Sequence, residues 1–399
     1  MRIIVISAVA SATLMAGGYA IPESSINATA LSAAYIANAH GADAAYYNPA
    51  AMVYNDDAQL LEVDTTYIGL SPIDFSGTTG NYSSKKENFL VPSFHYTSKK
   101  LGESGARVGF SIVSPAGLSK RWESAVPKAS AEEFTLKTIE FNPSIAIPLS
   151  ETVSMGAGFR VISSEGIVKS TYTVSRDMEG SAINYGYNLA LMYKPSSALS
   201  LAATYRSKID LSVAGNAKLY VGAPTGIPAY NGDVSVSVPL PASLNLAAAY
   251  TFDTGTTIEA VYQRTYWSAY KNLDFNYPVS IGGLAPYFDA PKPKNWKNTN
   301  TYRLGLTQKY DKWTAMAGVA YDETPVPEAT LGYELPDSNA LIASLGGRYQ
   351  INKSWNIGLA GLVDMKQNRE VHQSGPTGIN GEFSNARAYL VTAGIEYRF

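Results

Sequence analysis

Cysteine is absent from all 399 residues, which removes thiolate metal sites, disulfide frameworks and thiol nucleophiles at once. Histidine is nearly absent. The three that occur, His40, His95 and His372, fall in no Ser-His pattern that could activate a nucleophile, so neither an enzyme nor a metal or cofactor site is expected. Charge is sparse as well: 31 basic and 33 acidic residues leave a formal charge of -2 with no basic stripe, and no nucleic-acid partner is expected. After the N-terminus no apolar run approaches the ~18 residues of a membrane helix. Yet 46% of the residues are hydrophobic, with 28 Tyr and 33 Gly. So much apolar surface without a long run calls for a pattern that disperses it.

Residues 1–20 have the order of a secretory leader: Arg2 supplies the positive start, Ile3 to Met15 the apolar stretch and Gly18-Tyr19-Ala20 a small-x-small cleavage site, with cleavage expected after Ala20. The exported chain then divides in two. Residues 21–55 are rich in Ala (Ala28, Ala30, Ala33, Ala34, Ala37, Ala39, Ala42, Ala44, Ala45), and short helix or compact loop is expected there. From about residue 56 to 399, segments of roughly ten residues alternate in polarity between Gly, Pro, Asn, Asp and Ser clusters.

Trp355, Ile357, Leu359, Val363 and Met365 oppose Asn356, Gly358, Ala360, Asp364 and Lys366; Ile258, Ala260 and Tyr262 oppose Thr257, Glu259 and Gln263. Period two means strand. A soluble sandwich alternates too, but its strands average ~5–6 residues, whereas a tilted strand needs ~9–11 to cross a bilayer. The chain ends with Tyr389, Val391, Ala393, Ile395, Tyr397 and Phe399 on one face, an apolar stripe closed by aromatics as a barrel wall requires. The expected fold is therefore an all-β membrane protein, an antiparallel transmembrane β-barrel, in which lipid-facing apolar residues alternate with lumen-facing polar ones.

Particular strings narrow the type of barrel. Ala34-Tyr35-Ile36-Ala37-Asn38-Ala39, Asp43-Ala44-Ala45, Tyr47-Asn48-Pro49-Ala50-Ala51-Met52, Ser114-Pro115-Ala116-Gly117-Leu118, Tyr302-Arg303-Leu304-Gly305 and Tyr321-Asp322-Glu323-Thr324-Pro325-Val326-Pro327 occur in that order over most of the chain. Together they resemble the FadL/TodX family of outer-membrane transporters for long-chain fatty acids and hydrophobic aromatic compounds. The resemblance implies about 14 strands, an N-terminal α-helical hatch plugging the lumen, residence in the bacterial outer membrane among lipid and lipopolysaccharide, and insertion of a monomer by the barrel-assembly machinery, whose C-terminal signal the strand ending at Phe399 is similar to. It also implies passive capture of a hydrophobic small molecule and hatch-gated lateral release into the membrane. Long-chain fatty acids are the expected ligands, with toluene-like hydrocarbons, or general diffusion through an open pore, as alternatives.

By motif position, Ser114, Lys297 and Lys169 are the candidate ligand-binding residues, because a carboxylate needs a cation near small polar donors. Asn48, Pro49 and Ala50 are the candidate gating residues of the hatch. Pro115 and Gly117 are placed at a lateral opening, since Pro removes a ladder donor and Gly loosens the backbone. The Pro-rich stretch holding Pro278, Pro286, Pro291 and Pro293 beside Tyr277, Leu284, Tyr287 and Phe288 is expected to be an outer loop that first captures the ligand.

Overall fold

In a computed structural model that describes residues 17–375 and 378–399, the chain forms a closed antiparallel barrel of 14 strands around an N-terminal hatch. Residues 1–16, most of the expected leader, lie outside the described residues. The wall runs through β1 (Leu60–Leu70), β2 (Glu87–Thr97), β3 (Arg107–Val113, then Gly117–Arg121 past a bend), β4 (Glu133–Pro148), β5 (Val153–Thr171), β6 (Val174–Tyr193) and β7 (Leu199–Arg206, then Ile209–Val221). It continues with β8 (Tyr230–Leu240, then Ser243–Thr251), β9 (Thr256–Thr265), β10 (Thr299–Lys309), β11 (Trp313–Asp322), β12 (Ala340–Gln350), β13 (Trp355–Lys366) and β14 (Arg387–Arg398). Pairing of β14 with β1, from Leu60↔Arg398 to Leu70↔Ala388, closes the ring and leaves no edge strand.

The alternation places each side chain. On β14, Tyr389, Val391 and Ile395 face outward while Leu390 and Thr392 are buried inside. Exposed aromatics collect at two levels, Tyr193, Tyr250, Trp313, Trp355 and Phe399 near the short turns, and Tyr67, Tyr185, Tyr187, Tyr302, Tyr321 and Tyr389 toward the long loops. These are the interfacial girdles of a membrane barrel. Turns such as 149–152, 252–255 and 310–312 are short, whereas 71–86, 266–298, 323–339 and 367–386 are long and build one outer cap.

The hatch comprises α1 (Ile26–Ala30), α2 (Ala44–Tyr47) and a 3-10 helix (Pro49–Tyr54). Ser25 caps α1 by accepting from the Ala28 N–H, and Pro49 starts the 3-10 helix at the position where a missing N–H costs nothing. Ala28, Ala30, Ala34, Ala44, Ala45, Ala50 and Ala51 are all buried against the wall. The wall answers with glycine. A Cβ on Gly318 would stand 2.1 Å from the Leu31 carbonyl carbon, and one on Gly156 would stand 2.5 Å from the Ala50 nitrogen. Small residues on both sides bring backbone to backbone, which is where much of the Ala and Gly content goes.

The wall is interrupted at β3. Strand β2 pairs with it only from Phe94↔Ile112 to Thr97↔Gly109. Beyond Val113 the chain turns inward: Ile21 N–H donates to the Pro115 carbonyl and Gly117 N–H to the Tyr19 carbonyl, both at 2.9 Å. The chain rejoins the wall at Gly117–Arg121, paired with β4. A strand that pairs with the N-terminal segment cannot also pair with β2, so β2 lacks a ladder partner on this side from Asn88 to Ser93.

Candidate ligand path through the lumen

Above the hatch lies an apolar cavity of ≈ 70 Å³, several times what one water needs. One row of the ladder walls it: Leu118, Leu136, Gly166, Gly180, Gly215 and Val234 are consecutive partners across β3 to β8. Of the three glycines, Gly166 faces open space, where a Cβ would meet nothing nearer than a Val213 methyl at 3.6 Å. The opposite side comes from the 266–298 loop and the N-terminal segment. Tyr19 packs edge-on against Trp267 at 4.7 Å between ring centroids, and Trp296 sits 4.9 Å from Tyr270. Three charged residues border the cavity: Lys294 and Glu334, which pair, and Glu179, which is exposed. Burial pushes the Glu334 carboxyl up, but Lys294, with Lys292 behind it, outweighs burial and leaves it below the usual carboxylate range. From the Pro-rich stretch, Leu284 and Phe288 are buried over this region while Tyr287 is exposed. The loop is thus folded down as a cover, with one aromatic left at the surface.

Below, a second cavity of ≈ 120 Å³ has a mixed lining that includes three guanidiniums. Arg160, Arg206 and Arg303 line it, with Tyr46, Tyr47 and Pro49 of the hatch. Glu140 holds two of the guanidiniums: Arg160 grips it in a fork at 3.1 and 3.0 Å, and Arg206 bonds the same carboxylate while lying 4.2 Å over the Tyr46 ring. Removing one partner of a buried pair leaves a charge uncompensated, typically at about 3–5 kcal/mol. Glu140→Ala, which strands two arginines, is therefore expected to lower the urea midpoint of the lipid-reconstituted barrel markedly; an unchanged midpoint would show that the triad adds nothing to stability.

Lumen-facing side chains also hold the hatch in place. Glu259 accepts the N–H groups of Ile36, Ala37 and Asn38, Arg303 donates to the Ser32 carbonyl at 2.7 Å, and Arg348 bridges Asn27 and Glu62 at 2.7 and 2.6 Å. Arg107, fully buried, donates to the Asn55 and Asp56 carbonyls where the hatch joins β1.

Of the residues singled out from the sequence, Asn48 donates to the Ile36 carbonyl at 2.8 Å within the hatch, and the Ala50 carbonyl accepts from Ser154 at 2.8 Å. Pro115 lines the lower cavity at the inward bend, Gly117 is the first residue after it, and Ser114 is buried just before it. Lys297 is exposed and donates its backbone N–H to Pro325, and Lys169 is part-exposed and lies 3.5 Å from Asp177. Ser114, Lys297 and Lys169 line neither cavity and do not converge. The lysine that does reach the apolar cavity is Lys294. Period-two counting could have found it: Lys294 shares its parity with Trp296, and both turn inward, while Lys297 has the other parity.

The profile of the family described as outer membrane protein transport protein (OMPP1/FadL/TodX) matches residues 7–399. The chain belongs to this family. Family members are transport proteins or channels and not enzymes, and the place of this one is the bacterial outer membrane. Among its relatives is the long-chain fatty acid transport protein of Escherichia coli O6:H1, 23% identical, the match covering 87% of this chain and 84% of that protein. Among solved structures, a Pseudomonas aeruginosa FadL homologue superposes with a TM-score of 0.84 at 18% identity, over 95% of this chain and 99% of the other. The Ralstonia pickettii toluene transporter TbuX does so at 0.70 and 18%, over 94% and 98%. At these identities the structures share the FadL/TodX fold, hatch included.

Proposed function

We propose that this member of the family carries long-chain carboxylates across the outer membrane, the tail in the apolar cavity and the head against the cationic rim above it. The observation that carries this reading is Arg176. It is 4% exposed, its Nε and Nη1 have no hydrogen-bond partner, and it lies over the rings of Phe275 (5.2 Å) and Phe288 (5.9 Å). Phe275 itself lines the apolar cavity. The Arg176 guanidinium pushes the ammonium of Lys292 down to about 8, a sign of cations gathered beyond what Glu334 balances. An arriving carboxylate supplies the missing charge. The naming of curated relatives as long-chain fatty acid transport proteins supports the same class. A neutral aromatic ligand is the second reading, favoured by the mutual neutralisation of Lys294 and Glu334.

Downhill partition drives the passage, because each CH₂ removed from water gains ~0.8 kcal/mol. Straight descent would carry the tail among three arginines and forfeit that gain. Release therefore goes sideways, through the interruption at Pro115 and Gly117, once the N-terminal segment and hatch move. Leader removal bears on this step: cleavage after Ala20 takes Tyr19 out of the aromatic cluster and widens the apolar cavity.

Arg176→Met keeps the bulk and deletes the charge. A hydrogen bond to a charged group contributes ~1.5–3 kcal/mol, so oleate uptake by reconstituted vesicles is expected to fall by one to two orders of magnitude while toluene uptake holds. Equal losses for both would defeat the carboxylate assignment.

A further inference from the structure

We propose that the barrel has a second lateral portal, in the seam between β6 and β7, which opens by displacement of Ile209. This rests on the sideways release argued above, and concerns a different part of the wall.

The ladder between these strands is intact at both ends and missing in the middle. Near the short turns, Asn188–Tyr193 pairs with Arg206–Leu201; toward the outer cap, Val174–Ser181 pairs with Val221–Ala214. Between them no ladder joins Ala182–Gly186 to Lys208–Val213. The two paired blocks are offset by one residue, with the extra residue on β7, so this is a bulge that has swallowed a whole stretch of pairing. On its other edge β6 pairs with β5 without a break through the same level. Two side-chain acceptors and one backbone bond span the break. Tyr187 N–H donates to Ser207 Oγ at 2.9 Å, Ser207 N–H to the Tyr187 carbonyl at 2.9 Å, and Ser212 N–H to Asn184 Oδ1 at 3.3 Å.

Ile209 fills the seam. It is buried, and a Cβ on Gly186 would stand only 2.6 Å from its Cδ1, so the Ile209 side chain lies directly across the Gly186 backbone. The seam also has a cavity at each end of its inner face: the apolar one reaches Gly180 and Val213 above it, the arginine-lined one reaches Asn188 and Arg206 below it. Outside, Ile183 and Tyr185 are each 62% exposed at the girdle level, and Lys208 pairs with Asp210 at 2.8 Å. A membrane wall tolerates missing ladder bonds only where other groups satisfy the backbone. Here the substitutes are few, and a rotamer change of one isoleucine uncovers a slot between apolar cavity and bilayer. On the other edge of β6 a slot would require breaking the continuous ladder with β5.

The absence of native cysteine makes the test direct. A Cβ on Gly186 stands 2.7 Å from Ile209 Cγ1, so the Ile209 Cβ lies at most one bond farther, within the reach of a disulfide in the Gly186→Cys/Ile209→Cys double variant. Combined with Gly117→Trp to obstruct the bend at β3, it should retain oleate uptake when reduced, lose it to background when oxidised, and recover on reduction. No uptake in the reduced protein, or uptake indifferent to oxidation, overturns the proposal. A readout independent of transport is labelling of single cysteines by an N-alkyl maleimide dissolved in the bilayer: Ile209→Cys should react about tenfold faster than Ala190→Cys, which is buried on β6 behind intact ladder. Equal rates overturn it. If wild type takes up no oleate while Ile209→Cys still labels fast, the ligand assignment fails and the portal stands.

Discussion

Deletion of residues 21–52 is expected to turn a closed barrel into a conducting one, seen as resolved single-channel steps in planar bilayers where the intact protein gives none. The reasoning is local. The hatch fills the lumen with backbone that approaches the wall through Gly318 and Gly156, and its polar groups are held by Glu259, Arg303, Arg348 and Arg107. None of these contacts belongs to the ladder that closes the ring through β1 and β14. The wall should therefore survive the deletion, as heat-modifiable gel migration can verify, while the side chains released from the hatch line a wet channel. Glu259→Ala is the milder version. It frees three backbone N–H groups at Ile36 to Asn38 and should give brief openings of the same size. Identical traces before and after the deletion would sink the plug.

What could be read in the sequence follows from which interactions are periodic. Lipid on one side and polar lumen on the other impose period two over ten residues, so β9, β13 and β14 announce themselves, and the aromatic-ended last strand announces the membrane. The hatch was legible for a different reason: alanine is what remains when a helix must press against a wall. The partners of that helix were not, because Gly156 and Gly318 look like any strand glycine until the hatch is seen to touch them. The cations were harder still. Lys294 and Lys297 are three residues apart in an irregular loop, and only the direction of Trp296 tells which faces the cavity. Arg176 lies within an alternating strand, where a lone arginine reads as a lumen charge awaiting an acid; that no carboxylate among the described residues forms an ion pair with it is a fact of the folded chain. The bend at β3 had its signal in Pro115 and Gly117. The seam between β6 and β7 had none, since its origin is a one-residue offset between two registers and Gly186 marks it only once Ile209 is found across it.

Gly166→Phe is expected to abolish uptake of long-chain ligands without unfolding the barrel, and the neighbouring glycines show why this position and no other is suited to the test. Gly166, Gly180 and Gly215 share one row of the ladder and all border the apolar cavity. A Cβ at Gly180 would come within 2.8 Å of the Ala214 carbonyl oxygen, and one at Gly215 within 2.0 Å of the Glu179 carbonyl oxygen. Side chains there collide with the wall itself. At Gly166 the nearest atom is a Val213 methyl at 3.6 Å, an ordinary contact, so a phenyl ring can enter and occupy the cavity. Overpacking a filled core costs ~1–3 kcal/mol, but here the ring enters empty space and covers apolar surface already present. Gly166→Phe should thus match wild type in heat-modifiability while oleate uptake falls to background, Gly166→Ala should transport nearly normally, and Gly215→Phe should fail to fold. Normal oleate uptake by a folded Gly166→Phe barrel would place the ligand path outside this cavity. If toluene still passed while oleate did not, the cavity would be acting as a gauge of ligand size, with Gly166 setting the limit.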